Sequence, residues 1–97
     1  MELEGRIFIE LVSLVRLNAQ RNQIRYLSGQ ISECSHLNYL MLEQNCLEML
    51  PVELCKMHQL KSLKCANNKI NRLPVSFRNL TGLLNLDVSE NQLTSLP

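Results

Sequence analysis

A 23-residue period runs through this chain and leaves few folds open to it. Leu14, Leu37, Leu60 and Leu83 stand 23 residues apart, as do Leu17, Leu40, Leu63 and Leu86. Asn22, Asn45, Asn68 and Asn91 keep the same step, and so do Ala19, Leu42, Cys65 and Val88. Further columns are Ile24, Leu47, Ile70, Leu93 and then Leu27, Leu50, Leu73, Leu96, followed at once by Ser28, Pro51, Pro74, Pro97. Two shorter columns complete the pattern: Ile31, Leu54, Phe77 and Cys34, Met57, Leu80. No insertion or deletion breaks the register from Leu14 to Pro97. A fixed period of this length means one supersecondary unit per copy, each stacked on its neighbours, because a single copy cannot bury its own apolar face.

Each residue type has a physical reason to stand where it does. Apolar and polar residues alternate around Leu40 and Leu42, so these two point inward from a short strand while Tyr39, Met41 and Glu43 point out. The asparagine that follows is expected to end the strand, because Asn tolerates unusual backbone angles and its amide bonds groups that a turn leaves unpaired. Pro51 and Pro74 then fix φ at the start of a return segment. In that segment the apolar residues recur every third position (Leu54, Met57, Leu60; Phe77, Leu80, Leu83), which suits a 3₁₀ or irregular helix better than a long α-helix.

The copies read LVRLNAQRNQIRYLS, LNYLMLEQNCLEMLP, LKSLKCANNKINRLP and LLNLDVSENQLTSLP, each with the frame LxxLxLxxNxLxxLP. This frame resembles the leucine-rich repeat, in particular the 23-residue intracellular type known as the Ras-group or small type, over residues 14–97. The resemblance implies an α/β leucine-rich repeat solenoid, right-handed, with short parallel strands on a concave face and 3₁₀ or irregular helical segments on the convex face. The expected units are residues 14–36, 37–59 and 60–82 as three repeats and 83–97 as a partial fourth without a C-terminal cap.

Residues 1–13 read as the return half of an earlier copy, a half repeat or helical cap. Phe8 and Leu11 precede Ile31 and Cys34 by one period, and Met1 falls in the column of Ile24, whereas Glu4 breaks a leucine column. Ile7, Ile9 and Val12 are apolar where later copies carry Gln30, Ser32 and Ser35, which suggests a short amphipathic helix with something to cover it. At the other end Leu86, Val88, Leu93 and Leu96 are expected to expose an edge of the core. The chain therefore reads as a truncated form or fragment of a longer array, whose uncapped ends are candidates for self-association.

Composition removes several classes of function. Ten Lys and Arg against nine Asp and Glu give a net charge of +1, without the single-sign field of a nucleic-acid or membrane-surface binder. Mean hydropathy is −0.07, and no stretch approaches the ~20 apolar residues of a membrane span. The opening MELEGRIFIELVSLVRL carries Glu2 and Glu4 where a signal peptide is basic, and no small-residue cleavage site follows. Without such a signal, Cys34, Cys46, Cys55 and Cys65 read as reduced thiols, which places the chain in the cytoplasm or, alternatively, the nucleus.

Chemistry-bearing patterns are scarce. Cys34, His36, Cys55 and His58 offer zinc-ligand types, but register separates them: Cys34 stands in a core column and Cys55 lies one residue beyond core Leu54. No phosphate-binding glycine loop, dinucleotide fingerprint, zincin or nucleophile-elbow motif occurs, so neither an enzyme nor a cofactor is expected. The outward strand positions are the better candidate: Arg16, Asn18 and Gln20 in the first row, Tyr39, Met41 and Glu43 in the second, Ser62 and Lys64 in the third, and Asn85, Asp87 and Ser89 in the fourth. With Arg21 and Glu90, charge runs from basic in the first row to acidic in the last. An aromatic, a methionine and an arginine side by side are residue types enriched at protein interfaces, although Lys64 and Asp87 are also placed to pair across strands.

The expected function is a non-enzymatic protein-interaction module, a scaffold or adaptor of the kind the resemblance implies for intracellular signalling. Its partner is a protein held on the concave face. Nucleic acid is not expected, because Glu43, Asp87 and Glu90 interrupt a basic surface, and neither is a membrane. The alternative is a structural or assembly element that joins copies or docks a neighbouring domain through its open ends. A specificity arm of an enzyme such as a ubiquitin ligase would require a catalytic domain outside these residues.

Overall fold

A computed structural model describes residues 2–3, 14–80 and 82–93 of the chain. The outward-pointing rows form one parallel sheet of four strands: β2 (Arg16–Asn18), β4 (Tyr39–Met41), β5 (Ser62–Lys64) and β6 (Asn85–Asp87), in that order. The pairing follows the period, with Leu17 beside Leu40, Leu40 beside Leu63 and Leu63 beside Leu86. Between these strands run the 3₁₀ segments η1 (Gly29–Glu33), η2 (Val52–Lys56) and η3 (Val75–Asn79) on the opposite face. The three-residue spacing of apolar side chains thus gives 3₁₀ turns as expected, and the described residues contain no α-helix. Ser28 caps η1 by accepting from the Gln30 N–H at 3.1 Å; in the same column Pro51 and Pro74 hold φ at −69° and −56° instead.

The core occupies the space between sheet and 3₁₀ layer and consists of the predicted columns. Ile31, Cys34, Leu37, Leu40, Leu42, Leu47, Leu54, Leu63, Cys65 and Ile70 have no exposed surface, and Ile24, Leu27, Leu50, Met57, Leu60, Leu73 and Phe77 are also buried. Toward the first and last rows, Leu14, Leu17, Ala19, Leu83, Val88 and Leu93 are only partly buried against this cluster. Leu86, fully in the column of buried Leu40 and Leu63, is 45% exposed on β6. Leu96 lies outside the described residues.

The asparagine column does what was expected in one respect and not in another. Its amides link copies: Asn68 Oδ1 accepts from the Leu47 N–H at 3.0 Å, while Nδ2 donates to the carbonyls of Leu42 and Cys65, both at 2.9 Å. Asn45 repeats the arrangement one copy earlier, accepting from the N–H groups of Asn22 and Ile24 and donating to the carbonyls of Ala19 and Leu42. Asn91 accepts from the Ile70 N–H and donates to the Cys65 and Val88 carbonyls. The unusual backbone angle, however, falls one residue earlier: Arg21, Gln44, Asn67 and Glu90 have φ of 59°, 57°, 58° and 53°. The turn is made by that left-handed residue, and the asparagine side chain satisfies the groups the turn frees.

The N-terminal register also departs from expectation. Strand β1 (Glu2–Leu3) pairs in parallel with β3 (Tyr26–Leu27), placing Leu3 beside Leu27. The offset is one residue more than the period, so Leu3, not Glu4, takes the place alongside the leucine column. The helix expected around Ile7, Ile9 and Val12 lies outside the described residues.

Candidate functional site

Backbone hydrogen bonding fixes the outward face before any side chain is considered. The ladder continues past the strands: Ala19 N–H donates to Met41 O at 2.9 Å, Leu42 N–H to Lys64 O at 2.8 Å and Cys65 N–H to Asp87 O at 2.7 Å. Arg16, Tyr39, Ser62 and Asn85 therefore form one transverse line, and Asn18, Met41, Lys64 and Asp87 a second. The Arg16 guanidinium lies over the Tyr39 ring, 4.7 Å from its centroid, a contact that holds a flexible cation in place over an aromatic face. Arg16, Tyr39, Met41, Ser62, Lys64 and Asn85 together line an open depression of ≈ 280 Å³.

The remaining predicted positions sit around this depression with different exposures. Asn18, Asn85, Asp87 and Ser89 are exposed, while Gln20, Tyr39, Met41 and Glu43 are half-buried. Ser62 is only 5% exposed; its short side chain stands in register between Tyr39 and Asn85, so it contributes to the floor rather than to an accessible surface. Ala66, in the column of Glu43, is likewise buried. Arg21 Nε donates to Gln44 Oε1 at 2.8 Å, tying the first two rows together at their edge. Val15 and Leu84, one residue before the transverse line of Arg16 and Asn85, are 48% and 77% exposed. The sequence frame passed over them because their column also holds Asn38 and Lys61.

Charge on the face is distributed as the rows predict, but the expected Lys64–Asp87 pairing is not the main contact of that carboxylate. Asp87 Oδ1 accepts from the Ser89 hydroxyl at 2.7 Å and from the Ser89 N–H at 3.0 Å. These two bonds hold the Asp87 pKa below its ordinary value, with Lys64 a minor contributor. In the first row Asn18 Oδ1 accepts from the Gln20 N–H at 3.2 Å, the same local geometry three periods earlier. Glu43 Oε1 is buried without a hydrogen-bond partner. That carboxylate, after burial itself and before Asp87, also raises the Cys65 thiol, which is pushed up to about 12.

The cysteines and histidines do not form a site. Cys34 and Cys65 are in the core, Cys55 shares a 3.1 Å hydrogen bond with the Ser76 hydroxyl, and His36 and His58 are exposed. Burial first, and the Glu33 carboxylate second, raise the Cys34 pKa. Among the described residues no three His, Cys, Asp or Glu side chains converge as metal ligands.

Comparison with known proteins fits this architecture. The family model described as Leucine Rich Repeat matches residues 59–80, and no curated protein matches the chain. Among the solved structures, 57 chains match. One is a leucine-rich repeat protein of Leptospira interrogans, 26% identical, with a TM-score of 0.75 over 99% of this chain. The chain spans 30% of the length of that protein. The 23-residue frame, the single parallel sheet backed by 3₁₀ turns, the asparagine ladder and these matches agree on a leucine-rich repeat fold for this chain.

Proposed function

We propose that this chain is a non-enzymatic protein-interaction module, a scaffold or adaptor element in intracellular signalling, which holds a partner protein on its concave sheet face. The observation that carries the reading is the depression flanked by the Arg16–Tyr39 stack and Met41. Arginine, tyrosine and methionine are concentrated there on a sheet whose inner strands β4 and β5 are paired on both sides, so the side chains meet a partner preorganised. A rigid face of this kind favours protein recognition because little ordering entropy is spent at docking.

The test replaces Arg16, Tyr39 and Met41 together by alanine and compares partner capture from cell extract with that of the parent chain. A companion variant carries Val52→Ser and Val75→Ser, two exposed positions on the 3₁₀ layer. Capture lost only in the concave variant, with circular dichroism and denaturation unchanged, supports the reading. Capture that survives the triple replacement removes it.

The exposure of Leu86 favours a second reading, in which the β6 edge joins copies or a neighbouring domain. It predicts that Leu86→Lys or a polar residue at Leu93 alters the sedimentation of the chain. An unchanged profile for both would set this reading aside.

A further inference from the structure

We propose that the depression between Arg16 and Lys64 receives an extended acidic segment of a partner protein, with one carboxylate at each cation and an apolar residue between them. The proposal rests on the concave-face reading and adds the chemistry of the occupant. Among the described residues no carboxylate lines the depression: its walls are two cations, the tyrosine, the methionine, and the hydroxyl and amide of Ser62 and Asn85. The acidic side chain nearest Lys64 in the register, Asp87, is already held by Ser89 through two hydrogen bonds to Oδ1. Arg16 is stacked over Tyr39, which aims its guanidinium along the face without neutralising it.

Geometry decides the kind of segment. Arg16 and Lys64 lie two strands apart in the sheet and two residues apart along the strand direction. Strand spacing of about 4.8 Å and a rise of about 3.3 Å per residue put their backbones about 12 Å apart. In an extended peptide, residues four apart point to the same side and are separated by about 13 Å, with the intervening second residue on that side too. A segment of the form acid-x-apolar-x-acid therefore directs its two carboxylates toward Arg16 and Lys64 and its apolar side chain toward Met41. Two separated single charges suit carboxylates. A phosphate dianion is served better by cations that converge on one point.

A fluorescein-labelled peptide Ser-Glu-Ser-Leu-Ser-Glu-Ser, its glutamine twin and a twin with phosphoserine at both acidic positions provide the probe, read by fluorescence anisotropy with the full chain. The acidic peptide is expected to bind about tenfold or more tighter than the glutamine twin, and to weaken as salt rises. Arg16→Ala and Lys64→Ala are each expected to reduce its affinity about tenfold, whereas Arg72→Ala, an exposed cation off this face, leaves it unchanged. Equal binding of the acidic and glutamine peptides, insensitivity to Arg16→Ala and Lys64→Ala in folded protein, or a marked preference for the phosphopeptide overturns the proposal. If the acidic peptide fails while replacement of Arg16, Tyr39 and Met41 still abolishes partner capture, the concave-face reading stands and this occupant is wrong. If both fail, both are wrong.

Discussion

Replacing Asn68 tests whether the asparagine ladder, rather than leucine packing alone, holds neighbouring copies together. Its Oδ1 is the acceptor for the Leu47 N–H at 3.0 Å, and its Nδ2 donates to the carbonyls of Leu42, Cys65 and Ala66 at 2.9, 2.9 and 3.3 Å. In Asn68→Leu, a near match in shape, Leu47 loses the acceptor of a buried N–H. Each of the three carbonyls keeps a second donor: Asn45 Nδ2 on Leu42, Asn91 Nδ2 on Cys65 and the Gln44 N–H on Ala66. One stranded donor at about 1–3 kcal/mol, plus a smaller loss at the carbonyls, gives an expected destabilisation of about 2–4 kcal/mol. Asn68→Asp separates the two halves of the amide. The introduced carboxyl still accepts from Leu47 but sets its other oxygen against three carbonyl oxygens, an arrangement that favours its protonated form. Its pKa in the folded state is thereby raised above the unfolded value of about 3.9. Folded protein then binds more protons than unfolded, so stability falls as pH rises above that value, by up to about 1.4 kcal/mol per pH unit, until the folded pKa is passed. Urea denaturation between pH 4.5 and 7.5, with exposed Asn71→Asp as the charge control, measures both effects. A loss below about 0.5 kcal/mol for Asn68→Leu, or a deficit for Asn68→Asp that does not grow with pH relative to Asn71→Asp, refutes the reasoning.

Three further outcomes follow from the packing. Gly82→Ala places a Cβ against the His58 carbonyl, a backbone atom that cannot swing aside, and is expected to lower stability by about 1–3 kcal/mol in a denaturation series. Leu63→Ala empties a site with no exposure and is expected to be destabilising by about 2–5 kcal/mol, whereas Leu86→Ala in the same column, 45% exposed, loses under about 1 kcal/mol. A similar loss at both positions would contradict the burial gradient. Iodoacetamide at pH 8 should label half-buried Cys46 and Cys55 well before Cys34 and Cys65. Burial raises the pKa of both core thiols, that of Cys65 to about 12, so early modification of Cys65 in folded protein, mapped by mass spectrometry, would run against its placement.

What the sequence discloses here depends on which part of a residue the fold constrains. The core columns are legible because each demands an apolar side chain in every copy: Leu40 and Leu63, Ile24 and Leu47, Leu54 and Phe77 all fill the space their spacing assigns. The turn asparagines are legible for a related reason, since only an amide supplies an acceptor and two donor hydrogens at one point. The left-handed residues are hidden. Arg21, Gln44, Asn67 and Glu90 share a backbone angle but no side-chain chemistry, so their column looks unconstrained. The shift that puts Leu3 beside Leu27 is hidden because a single copy of that register exists, with nothing to average against. On the concave face, the identity of the outward residues is legible, but the depth at Ser62 is not. That depth arises from neighbours in other rows, which a linear frame does not weigh.

This division bears on how binding and stability are related in the molecule. The backbone ladder and the amide column fix the strand spacing without help from outward side chains, so Arg16, Asn18 and Lys64 are exposed positions whose exchange alters the surface and leaves the frame intact. Glu43 is different. It stands on the same face, yet one of its carboxylate oxygens is buried without a donor, and its charge reaches the core thiol of Cys65. A buried, unpartnered carboxylate oxygen opposes folding rather than assisting it. Removing that charge as Glu43→Gln relieves one of the influences that hold the Cys65 thiol high, but burial, the larger one, persists. The second row is therefore where the face and the core are coupled: a change at Glu43 acts on both, whereas changes at Arg16 and Lys64 act on the surface alone.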